Sequence, residues 1–367
     1  MTGYRIPLTF PVLAEPELEA VSDAVRSGWV SSTGPAIGEF ESLFATFCEV
    51  PHGVAVMNGT AALHLALEAL DIGPGDEVIV PDLTFAASAE AVVHAGAVPV
   101  LVDVDAATWA LDPSLVEAAC TPRTKAIMPV HLYGHPADMD PILAVAEARG
   151  LAVVEDAAEA HGARYRGKRV GSIGHIGAFS FYGNKLLTTG EGGMCVTHDA
   201  ALAERMRFLR AHAQPAGRRY WHDEVGWNYR MTNLQAALGA AQMKRVDEVV
   251  ADRQRLGRLY HDALDGTGIT AAPEQPWAET VYWLYSALLP SGVDRDRVMA
   301  LLAEEGIETR PFFYPLHEMP PYRADASGFP VATDLSRRGM TLPSFYRMGE
   351  ADVAAVVGAV RDASSRA

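Results

Sequence analysis

Lys185 carries the most specific chemistry in the chain. It ends the run Phe179-Ser180-Phe181-Tyr182-Gly183-Asn184-Lys185 and precedes Thr188-Thr189-Gly190-Glu191-Gly192-Gly193. A lysine set between aromatic and glycine-rich segments suits Schiff-base chemistry, because burial favours the uncharged, nucleophilic amine. The plain alternative is a solvated lysine beside a loop. Upstream, the apolar run at 151–154 ends in Glu155 and Asp156. An acid at the carboxyl end of a strand lies at the ligand edge of an open sheet. There Asp156 could keep a proton on the ring nitrogen of a pyridine such as pyridoxal 5'-phosphate, or serve only as a cap or surface charge.

Two more stations add weight. Asn58-Gly59-Thr60-Ala61-Ala62 reads as a strand end running into a helix start, where free amides and the helix dipole suit a phosphate. Its bland reading is a strand–helix turn with Thr60 as N-cap. Phe85, after Pro81-Asp82-Leu83-Thr84, could stack on a planar heterocycle or simply be core. Ser180 could add a hydroxyl donor to the phosphate.

These residues need a scaffold, and the chain between 54 and 197 supplies one. Short β-branched runs at 54–57, 77–80, 99–104, 126–132, 151–156, 178–181 and 194–197 alternate with helical patterns such as 61–70 and 142–150. Strands alternating with helices predict a mostly parallel sheet covered on both faces. The segment 231–264 reads as one long helix, and beyond it lie a strand-like run at 283–289, a helix at 296–306 and a Pro/aromatic loop at 310–322. The expected class is α/β, with a large domain over 1–249, including an N-terminal arm, and a smaller α+β domain over 250–367.

Bulk properties remove other classes. With 46 acidic against 30 basic residues the net charge is −16, so nucleic acid and anionic membranes are not expected partners. No apolar run reaches the ~20 residues of a membrane-spanning helix. The first twenty residues lack the basic and apolar stretches of a signal peptide. Cys48, Cys120 and Cys195 have no metal or disulfide spacing, which suits reduced thiols in the cytoplasm. His131 and His135 are four apart, but Gly134 and Pro136 preclude a helix there, and Asp103 and Asp105 lack the rest of a calcium loop. No metal site is expected. The absence of G-x-G-x-x-G after the first strand weighs against a nicotinamide dehydrogenase.

The ordered motifs NGTAAL, PDLTFAAS, VEDAAEAHGA and FSFYGNKLLTTGEGGM, followed by HDEVGWNYRMTNLQAALGAAQ and RPFFYPLH, resemble the DegT/DnrJ/EryC/StrS sugar aminotransferases. The resemblance spans nearly the whole chain. It implies the aspartate-aminotransferase (type I) fold, pyridoxal phosphate as cofactor and a homodimer with shared active sites. It also implies roles: Lys185 as covalent anchor and proton carrier, Asp156 on the pyridine nitrogen, Phe85 on the ring, and Gly59, Thr60 and Ser180 on the phosphate. Asn228 would reach the phosphate from the partner subunit. Glu159 stands near the ring oxygen, where many members carry Gln, and this resembles the branch that forms GDP-linked perosamine.

L-glutamate is the donor the resemblance implies, and GDP-4-keto-6-deoxymannose the acceptor. A GDP-linked 3-keto isomer, a dTDP- or UDP-ketosugar and a ketocyclitol remain open, as does a non-catalytic protein that binds the cofactor for regulation. Family members that dehydrate sugars carry histidine in place of the lysine, so Lys185 favours transamination. Tyr229, Arg230, Arg310, Tyr314 and His317 are the candidate substrate contacts.

Overall fold

The computed structural model describes residues 3–367. Helices α1 (Glu15–Ser27) and α2 (Pro35–Phe47) precede β1 (His52–Val56), α3 (Gly59–Ala69), β2 (Glu77–Pro81), α4 (Ala87–His94) and β3 (Val98–Val102). Then come α5 (Pro113–Ala119), β4 (Thr124–Ile127), α6 (Met139–Arg149) and β5 (Ala152–Asp156). A two-residue ribbon, β6 (Arg164–Tyr165) and β7 (Lys168–Arg169), stands apart from the main sheet, which is completed by β8 (Ile176–Ser180) and β9 (Gly193–Thr197). The order is β1-β9-β8-β5-β4-β2-β3. Only β9 runs against the rest, pairing antiparallel with both β1 and β8. Strands β2, β8 and β9 are wholly buried because helices cover both faces, which is why they read as near-continuous apolar runs, whereas edge strand β3 is partly open.

The reading from sequence needs correction in four places. In the run at 126–132 the regular strand ends at Ile127: Pro129 has no N–H to donate, Val130 adds only an isolated bridge to Asp156, and 132–134 close into a tight turn with Tyr133 at φ 52°. The helix at 231–264 is two, α7 (Ala200–Leu209) being followed by α8 (Asn233–Met243) and α9 (Val246–Leu264). At the end of α8 the buried Gln242 side chain grips both the N–H and the carbonyl of Thr188, fixing that end on the loop after Lys185. In the run 283–289 only 286–288 join a sheet. Finally, Asn58 and not Thr60 caps α3, its Oδ1 accepting from Ala61 N at 2.8 Å.

The C-terminal part forms its own core around Leu256, Tyr260, Leu301, Leu302 and Val356. Helix α9 joins this core through its later turns, while Val246, Val249 and Val250 pack with the large sheet's cluster. The 249/250 boundary therefore falls inside a continuous helix. Ile6 also packs in the C-terminal core, so the N-terminal arm crosses to it.

Candidate active site

Asp156 ends β5 and is buried. Its Oδ2 accepts from the Ser88 hydroxyl at 2.7 Å and its Oδ1 from the Ala158 amide at 3.1 Å. The Thr84 and Ser88 hydroxyls lie 3.0 Å apart, so a short hydroxyl chain at the start of α4 aims at the carboxylate. No basic side chain forms an ion pair with Asp156 among the described residues. Burial raises its pKa, against the opposing pull of the two hydrogen bonds and of the Lys185 charge.

Lys185 approaches from the other edge. Its Nζ lies 3.4 Å from Glu159 Oε1 and 3.7 Å from the centroid of the Trp283 ring. Burial lowers the amine's pKa, and the Glu159 and Asp156 carboxylates oppose that. Glu159 is shifted the other way, upward by burial, with Lys185 opposing. Its second oxygen accepts from the Tyr133 amide at 2.9 Å. Tyr133 holds φ 52°, a left-handed conformation that costs a non-glycine residue on the order of 1 kcal/mol. That turn points its N–H at the carboxylate.

The start of α3 closes one end of the site. Gly59 is where closeness is essential, since a Cβ there would meet Ser180 Cβ at 2.7 Å. Gly193 on β9 passes the Asn58 carbonyl in the same way. The first amides of α3 thus lie beside the Ser180 hydroxyl with no side chain between them. Asp156, Glu159, Lys185, Gly59, Thr60 and Ser180 all line one cavity of about 490 Å³. Phe85 lines it too and is 57% exposed, high for an aromatic at a strand end and suited to a ligand that would cover it. Arg310 and Phe313 form the wall contributed by the late loop.

These residues fit pyridoxal phosphate on the protein's own evidence. An acid without a cationic partner, a buried amine, an anion-suited helix start and an open aromatic face all meet at one cavity.

Other expected contacts lie outside the lining. Asn228 is exposed and accepts from Arg230 Nη2 at 2.9 Å, and Arg230 also approaches His212. Tyr229 does not stand beside the cavity: its hydroxyl meets His64 Nδ1 at 2.9 Å and its carbonyl accepts from Met57 N. Tyr314 is exposed. His317 is buried, held by Asp82 at 2.7 Å through Nδ1 and stacked on Phe329, so it fixes the loop instead of facing the cavity.

Ser88, Tyr133 and Trp283 are additions from the structure. Ser88 lies in the first turn of α4 and Thr84 in the loop before it, so their hydroxyl contact comes from the loop's path and not from a helical spacing. Trp283 and Tyr133 reach Lys185 and Glu159 only through tertiary packing.

Known proteins resemble this chain over nearly its whole length. Residues 11–361 match the DegT/DnrJ/EryC1/StrS aminotransferase family. The GDP-perosamine synthase of Caulobacter vibrioides is 50% identical over 361 residues, 97% of each chain. That of Escherichia coli O157:H7 is 44% identical, covering 95% of each. Among solved structures, DesV of S. venezuelae superposes with a TM-score of 0.90 at 40% identity, over 96% of this chain and 95% of that one. The Streptococcus pneumoniae protein Spr1654 in its PLP form gives 0.94 at 30% identity, over 99% of each.

Proposed function

This chain belongs to the DegT/DnrJ/EryC1/StrS aminotransferase family and is a pyridoxal-phosphate-dependent sugar aminotransferase, and on that premise we propose that it moves the amino group of L-glutamate to GDP-4-keto-6-deoxymannose. The names of its two GDP-perosamine synthase relatives support the acceptor. The convergence of the Asp156 carboxylate and the Lys185 amine on one cavity carries the mechanism.

When bound, the cofactor supplies an electron sink that stabilises negative charge at the substrate carbon. Asp156 would hold the proton on the ring nitrogen, and the Ser88 and Ala158 hydrogen bonds favour its charged form against the effect of burial. Lys185 anchors the cofactor and, once free, takes the donor's α-proton at Nζ and later returns a proton to the acceptor carbon. Burial lowers its pKa and so favours the uncharged form that this work needs. Glu159 holds the amine in place and would stand by the cofactor's ring oxygen, as the family resemblance implies. The α3 amides with Gly59, Thr60 and Ser180 would hold the phosphate, and Phe85 would stack on the ring. Arg310, on the cavity wall, binds a substrate anion.

The same reading makes the protein a homodimer. Asn228 and Arg230 lie outside this chain's cavity, Asn228 exposed and Arg230 half-buried, which suits a role in the partner's site, and Tyr314 is free to contact substrate. Exposed Leu18, Trp29, Tyr220 and Val225 supply apolar area for such an interface. No helix among the described residues is long and apolar enough to cross a membrane. Three free thiols suit the cytoplasm.

The test has two steps. L-glutamate should change the bound cofactor's absorption, and the treated enzyme should then aminate GDP-4-keto-6-deoxymannose in a panel with 3-keto, dTDP and UDP ketosugars. A spectrum indifferent to every amino donor would sink catalysis, and amination of only non-GDP acceptors would sink the substrate.

A further inference from the structure

The mechanism above uses the carboxylate beside the Lys185 amine but not the ring beneath it. Trp283 is buried and doubly fixed. Its Nε1–H donates to the carbonyl of Asn184, the residue before the lysine, at 2.7 Å, and its backbone N–H donates to the Tyr133 carbonyl at 3.0 Å. Tyr133 is also the residue whose amide holds Glu159. One turn therefore fixes both the ring and the carboxylate that flank the amine. An ammonium over an indole face is attracted by the ring's quadrupole, and more strongly when water is excluded.

We propose that Trp283 is a positioning residue whose indole face seats the Lys185 amine whenever that amine is not bonded to the cofactor. This rests on Lys185 being the anchor and proton carrier. The seat has a consequence for the proton. Glu159, Asp156 and the His161 imidazole are the titratable groups that face the amine. Burial favours its neutral form, and the two carboxylates favour the ammonium. The indole face acts in the same sense as the carboxylates, so its removal makes the amine lose its proton at lower pH.

Capture of pyridoxal phosphate by the cofactor-free enzyme reads this directly. The neutral amine attacks the aldehyde carbon, a C=N bond forms and the oxygen leaves as water. Borohydride reduction followed by mass spectrometry then locates and counts the product. In Trp283→Leu the midpoint of capture rate against pH should fall by about one unit. Trp283→Phe keeps an aromatic face but loses the Nε1 donor, and should fall by about half as much. A Leu profile that coincides with wild type overturns the proposal. So does a Phe shift equal to the Leu shift, which assigns the effect to the Asn184 hydrogen bond. Should the Leu variant not fold, the Phe variant decides alone: an unmoved midpoint overturns the seat. Wild-type capture at a residue other than Lys185 refutes the anchor reading itself, a result distinct from any of these.

Discussion

Strand β5 ends in two carboxylates, Glu155 and Asp156, whose surroundings differ in kind. Successive side chains on a strand leave by opposite faces. On one side Glu155 is fully enclosed: His131 Nε2 donates to it at 3.0 Å, and the amides of Gly171, Ile173 and Gly174 donate at 2.7, 2.7 and 2.6 Å. His131 Nδ1 accepts from the Ala137 amide, which leaves the ring proton on Nε2 for Glu155. Every polar atom there has a partner. Asp156 has only a hydroxyl and an amide, and it borders a cavity shared with a buried amine. Satisfied acids hold loops in place, whereas an acid with spare acceptor capacity facing a cavity is equipped for a ligand.

Substitutions should separate the two sides. The largest effect belongs to Lys185→Ala, which should fold, bind no cofactor covalently and lose about 10⁴-fold or more in kcat with L-glutamate. Mass spectrometry after borohydride checks the first point and steady-state kinetics the second. Asp156→Asn should lower kcat by about 10³-fold, the equivalent of the roughly 4 kcal/mol of a charge pair at an effective dielectric of 20. Its urea midpoint should stay near wild type. Glu155→Gln should do the reverse. Its NH₂ would face two buried donors, and two unmade hydrogen bonds cost about 3 kcal/mol in urea unfolding while kcat per folded enzyme holds. If Glu155→Gln cut kcat as deeply as Asp156→Asn, the division between the faces would be wrong.

How far the sequence reveals this division depends on the residue. The order of strands and helices was readable because buried parallel strands are continuous apolar runs, and the cofactor stations were readable because each falls at a strand's carboxyl end. That Glu155 and Asp156 face opposite ways follows from the strand period. Which face opens on a cavity does not, because it depends on Ser88 and Lys185 arriving from elsewhere. Likewise His317 reads as a ligand contact in its Pro/aromatic loop, but its partner Asp82 is 235 positions away. The break between α8 and α9 escapes periodicity because apolar positions continue across Lys244 and Arg245, and the grip of Gln242 on Thr188 is a tertiary contact.

The contrast extends to a pair of histidines. His131, beside Glu155, is bonded at both ring nitrogens, whereas His161, behind Lys185, is packed among Phe44, Phe179 and Phe181 with no well-formed hydrogen bond. Burial, reinforced by the Lys185 charge, lowers the His161 pKa from the ordinary 6.5 to about 3. Between those values the unfolded chain binds a proton that the folded chain refuses. Stability is therefore lost as pH falls below 6.5, and the loss continues toward pH 3. His161→Phe abolishes this contribution. Its stability advantage over wild type should grow by about 2 kcal/mol between pH 6.5 and 5 in urea unfolding of the cofactor-free protein. Phe is slightly larger, so the advantage at neutral pH can have either sign, and only its growth on acidification is diagnostic. A difference that stays flat with pH would mean that His161 finds a proton acceptor when folded, and the side of β5 behind Lys185 would then be as fully satisfied as the side of Glu155.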